Sequence, residues 1–217
     1  FKSKKIFLIL LINLILAVPC FYYIFIMGVN FLSNPGAAGI SVNEKIIFNN
    51  IFNDILITFS IFFFYLLPFL IIKVIEIENP LKKINILFSV LIFLICVFNF
   101  DYNYLYSGGG IFFKFSNLVF ENNYFFYTVA LFAIFICLPL LIRDKFNILI
   151  FLLVLLNNPQ YTIYHKYFDP FFLIVFFTIL NFKIDINKMT FNKNYLIVFF
   201  YFLSFLIISN IKYLWKI

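Results

Sequence analysis

Residues 124–142 read YFFYTVALFAIFICLPLLI, nineteen in a row without a charge. A helix needs about 20 apolar residues to cross a bilayer, and this run meets that length almost unaided. It is one of seven such segments. The others cover residues 6–26, 51–72, 84–100, 146–156, 171–182 and 195–208. Of the 217 residues, 65% are hydrophobic and 12% charged. A soluble domain of this size has too little interior to hide that surface, because buried fraction rises only slowly with length. Lipid removes the difficulty, and helices satisfy their own backbone within it. The expected fold is therefore all-α: one polytopic domain over 1–217 with about seven transmembrane helices, an integral, multi-pass membrane protein.

The fifth and sixth segments are short. They either borrow length from flanking residues or form half-helices that lean on neighbours.

The net charge of +7 reads as topology rather than as a nucleic-acid footprint, because the lysines cluster in short connections between apolar runs. With the N-terminus inside, the inner segments hold Lys2, Lys4, Lys5, Lys73, Lys82, Lys83, Arg143, Lys145, Lys183, Lys188 and Lys193. The outer ones hold Lys45, Lys114, Lys166, Lys212 and Lys216. Basic residues gather on the cytoplasmic side, so the expected topology has a cytoplasmic N-terminus and an external C-terminus. The chain begins at Phe1, as expected of a processed protein or of the C-terminal part of a longer one.

Cys20, Cys96 and Cys137 each lie inside an apolar run and read as small buried hydrophobes. Their odd number and the Cys-free loops support neither a disulfide framework nor a zinc site. No metal-binding or cofactor pattern is evident, and the need for a divalent metal stays open. No charge sits at the middle of a span, where ion-coupled transporters and proton relays carry one.

Two outer connections are long, and all six glycines fall in them. Long loops in compact proteins tend to carry function, so the outer face is the expected working face. The third outer stretch, NNPQYTIYHKYFDP at 157–170, holds the only histidine of the chain. Gln160, Tyr161, Tyr164, His165 and Lys166 in it could meet a phosphate just outside the membrane. Tyr and His forming an interfacial belt, with Lys166 snorkelling, account for the same residues. Gly108–Gly110, centred on Gly109, permit the positive φ of an anion nest, and equally a plain turn. Glu44, Lys45, Asp101 and Lys114 complete the outer-loop candidates; Glu44, Lys45 and Asp101 also read as solvated loop charges. No HExxH, DxD, GxSxG or nucleotide-binding pattern occurs, and the catalytic residues are unassigned.

Three stretches then fall in order: FIMGVNFLSNPGAAGISVNEKIIFNNIFNDILITFSIFFFYLLPFL, YNYLYSGGGIFFKFSNLVFENNYFFYTVALF and LLNNPQYTIYHKYFDPFFLIVFFTILNFKI. This succession resembles the C-terminal half of the polyprenyl-phosphate-sugar-dependent membrane glycosyltransferases, the GT-C superfamily. Within it the dolichyl-phosphate-glucose α-1,2-glucosyltransferase family is the most similar, with HKYFDPFFLI resembling its lead-in to a late span. The family's Lys-then-His after the glycines is met here only by Lys114. The resemblance implies hexosyl transfer from a lipid-linked sugar, with membrane lipid and a polyprenyl-phosphate-linked sugar as partners and the catalytic acid upstream of Phe1. His165, Lys166 and Tyr161 would then face the lipid phosphate. A transporter or flippase of a lipid-linked glycan and a non-catalytic membrane assembly protein are the competing readings.

Overall fold

The helix at Ile51–Ile71 (α1) organises what surrounds it. Its sequence is apolar on every side, and a helix of that kind is stable only when covered all round. Asp54 in its first turn suits the positive end of the helix dipole. The described residues of this computed structural model are Ile15, Val18, Pro19 and Tyr22, then 51–76, 82–103, 108–156, 163–165, 168–169, 171–185, 187–188 and 192–214. The chain divides into two compact units, Phe1–Ile47 and Phe48–Ile217. In the first, the four described residues are helical and exposed.

In the second unit α1 is followed by α2 (Lys83–Phe98), α3 (Gly110–Phe120), α4 (Tyr124–Ile142) and α5 (Lys145–Leu156). Then come α6 (Phe171–Ile174), a π-helical turn (Val175–Ile179) and α7 (Asn192–Leu214). The described residues are helical apart from connections and one isolated antiparallel bridge, Ile75 with Ile184. α1 packs against α2, α3 and α4, and touches α5, α6 and α7. Two helices, α1 and α4, are long and apolar enough to cross a membrane. At about 1.5 Å per residue they measure roughly 31 and 28 Å.

α1 ends in a Schellman arrangement. Val74 N–H donates to Phe69 O at 3.0 Å and Lys73 N–H to Leu70 O at 3.0 Å. Lys73 takes the left-handed position, φ 55°, that glycine normally fills. The chain then pairs with the far segment: Asp185 N–H donates to Val74 O and Glu76 N–H to Lys183 O.

The turn between α4 and α5 is tied by amides. Asp144 caps α5, its Oδ1 accepting from Phe146 N–H at 2.9 Å, while Oδ2 accepts from Asn181 Nδ2. These donors hold the exposed Asp144 carboxyl below the usual carboxylate range. Asn147 is wholly buried and satisfied: Nδ2 donates to Leu140 O and Asn181 O, and Oδ1 accepts from Asn181 N–H at 2.8 Å.

Five predicted segments return as helices close to their sequence bounds. The sixth, 171–182, is helical only to Ile179, and α5 has 12 residues, so both are too short to cross a bilayer alone. Their rings fill the space beside α1. Phe151 lies 4.6 Å from Phe59, Phe176 lies 4.6 Å from Phe62, and Phe177 lies 4.9 Å from Phe69.

One expectation fails. Residues 101–123 are not an open outer loop, because helix α3 fills half of them. Ser116, fully buried, explains why: its hydroxyl donates to Asn122 O at 2.7 Å and accepts from Phe126 N–H at 3.1 Å. That clamp folds α3 against α4.

Candidate functional site

The 157–170 stretch was expected to be an outer loop. Of its described residues, His165 lies against the second half of α1. His165 sits against Phe64 and Tyr65, about 21 Å along α1 from Ile51 by helical rise. Tyr65 stacks on the imidazole at 5.2 Å and 23°, Phe64 meets it edge-on at 5.3 Å, and Phe205 of α7 closes a third side at 5.4 Å.

Neither imidazole nitrogen is accessible, and neither has a hydrogen-bond partner. Burial pushes the His165 pKa down to about 4, so the ring is neutral at physiological pH. Leaving a buried polar group unpaired costs about 1–3 kcal/mol, and such groups call for a functional or structural reason. The Tyr65 hydroxyl is also buried without a well-formed hydrogen bond, although the exposed Asp169 carboxylate acts on it. Tyr201 of α7 packs on the same group, its hydroxyl donating to Phe64 O at 3.0 Å.

The glycine run meets this stretch directly. Gly109 N–H donates to Ile163 O at 2.8 Å, and Ile163 N–H donates to the Tyr102 hydroxyl at 3.2 Å. Both polar groups of the Ile163 backbone are therefore satisfied where it passes through the bundle. A Cβ on Gly108 would stand 2.5 Å from Ile163 O, at φ +116°. Gly110 lies against Ile61 of α1. The run is a packing surface for a crossing backbone. Its central N–H is already spent on Ile163, which removes Gly109 from an anion nest.

Asp101 is exposed and makes a reciprocal pair with Asn53 at the start of α1. Asn53 Nδ2 donates to Asp101 Oδ1 at 2.6 Å, and Asp101 N–H donates to Asn53 Oδ1 at 3.1 Å. Asp54, next to it, is buried. Lys114 and Tyr164 are half-buried and each has an interaction of its own. Gln160, Tyr161, Lys166, Glu44 and Lys45 lie outside the described residues. Among the described residues no group of three His, Cys, Asp or Glu side chains could hold a metal.

Sequence reasoning singled out His165 but not Tyr65, Asn53 or Tyr102. Asn53 had a usable signal, since an Asn-Asp pair opening an apolar run is unusual. The other two carried none in a chain with 14 tyrosines.

Fold and site together define an all-helical protein with two helices of membrane-crossing length and a buried polar group among aromatic rings. No protein family, curated protein or solved structure matches the chain.

Proposed function

We propose that this is a multi-pass integral membrane protein that handles a lipid-linked polar substrate at a site within its helix bundle. Sugar transfer from a polyprenyl-phosphate donor is the reaction class. The carrying observation is that the described residues 163–165 and 168–169, outside the long helices, bring His165 against Phe64 and Tyr65 of α1. Non-helical backbone at membrane depth is tolerated only where protein buries it or where it lines a working site, and paired half-helices mark such sites in membrane proteins. Lipid contact is supported by the apolar faces left open on three helices: Leu87, Leu91 and Phe98 on α2, Leu149 and Leu153 on α5, and Phe200 and Ile207 on α7. The seven apolar runs support seven spans, and the Lys and Arg asymmetry supports an N-terminus inside.

The reaction class rests on the sequence resemblance alone. A second reading, a membrane assembly protein without catalysis, is favoured by one observation. Gly108, Gly109 and Ile163 serve packing rather than ligand binding.

The experiment uses membranes carrying the complete reading frame and a labelled polyprenyl-phosphate sugar. The transferase reading expects transfer, and its loss in His165→Ala and Lys166→Ala. Full activity in both variants removes the two residues from the mechanism. No transfer by folded protein overturns the enzyme and leaves the assembly reading. Reporter fusions at 183 and at the C-terminus test the topology, with opposite sides expected.

A further inference from the structure

We infer that His165 and Tyr65 bind uncharged hydroxyl groups inside the bundle, supplied either by water or by a polyol. This deepens the internal site proposed above and depends on that site, not on sugar transfer.

Two buried polar atoms there, Nδ1 and Nε2 of His165, lack hydrogen-bond partners, and the buried Tyr65 hydroxyl has only the Asp169 carboxylate acting on it. They belong to one cluster, because the imidazole stacks on the Tyr65 ring and is flanked by Phe64 and Phe205. A neutral imidazole carries one donor and one acceptor on different edges, and a phenol carries both functions. No single oxygen reaches both ring nitrogens. Two separate hydroxyls do, one at each nitrogen, as two waters or as one water and one polyol hydroxyl, each able to donate and accept.

Charge selects the ligand class. The imidazole is neutral, and the one charged group among the described residues that acts on Tyr65 is the Asp169 carboxylate. An anion would meet repulsion there and gain no cation from the enclosing rings. A hydroxyl meets neither obstacle. This replaces the expectation that His165 grips a lipid phosphate.

His165 is the only histidine, so ¹⁵N-histidine labelling yields one pair of ring signals. The protein is placed in nanodiscs of phosphatidylcholine and phosphatidylglycerol at about pH 6, where a free histidine is largely charged. The expected spectrum shows one protonated and one bare nitrogen, with a cross-peak from the ring N–H to water. Glycerol that replaces the water cross-peak with its own identifies a polyol site, and a water peak that persists identifies resident water. Inorganic phosphate should leave the signals unmoved. Tyr65→Phe should raise the glycerol midpoint, or shorten the water's residence, about tenfold, the loss of one hydrogen bond. The inference is overturned if the ring contacts neither water nor glycerol in folded protein, or if phosphate alone shifts it. The spectrum is read without a transfer assay, so a failed transferase leaves this result standing, and the reverse holds.

Discussion

Gly108 shows how a single residue can be visible in a sequence and its purpose invisible. The run of three glycines announced a special backbone, and two readings of it were open, a nest for an anion and a plain turn. What decides between them is Ile163, 55 positions away, whose carbonyl would collide with any Cβ at Gly108. No local pattern carries that distance. His165 was legible because it is unique in the chain, but its partners Phe64, Tyr65 and Phe205 were not. With 37 phenylalanines and 14 tyrosines, aromatic residues give no contrast. A Gly108→Ala variant combines the collision with a left-handed φ, and should lose about 2–3 kcal/mol of stability. Thermal unfolding in detergent checks this, with His165 fluorine or nitrogen signals reporting the displaced segment. An unchanged midpoint would mean that the Ile163 crossing is not fixed by the glycines.

At the scale of elements, uniform composition was the readable signal. α1 and α4 emerge within a residue of their apolar runs because nothing interrupts them. α3 was hidden because Lys114, Ser116 and Asn117 break its apolar pattern, and because glycines precede it. Two of those three polar residues turn out to bond the α3–α4 connection: Ser116 to Asn122 and Asn117 to Asn123. The half-helices were foreseen from length, yet the amide knot that lets α5 begin there was not. It joins Asp144, Asn147 and Asn181 across 37 positions. The end of α1 yields a test of local strain. Lys73 is exposed and holds a left-handed φ, which costs a residue with a Cβ about 1–2 kcal/mol. Glycine there loses more freedom on folding, so Lys73→Gly should gain a net 0.5–1 kcal/mol, about the size seen for other backbone-compatible changes. A lower unfolding temperature would show that the lysine side chain, not the turn, holds the helix end.

For the whole molecule, fold class was legible and the arrangement was not. Apolar runs say that helices form, but only packing tells which helix others surround, and here α1 takes that place. The 157–170 stretch was expected on the outer face from the count of Lys and Arg in alternate connections. The structure sets its His165 against the second half of α1, where rings from α1 and α7 enclose it. The claim on which the rest depends is that the open faces of α2, α5 and α7 meet lipid. Spin labels decide it directly. Cys20, Cys96 and Cys137 are replaced, single cysteines are placed at Leu91, Leu153 and Phe200, and the labelled protein is reconstituted in nanodiscs. Collision with oxygen, which concentrates in lipid, should exceed collision with a water-soluble nickel chelate at all three positions. Nickel accessibility exceeding oxygen at these sites would contradict the membrane account.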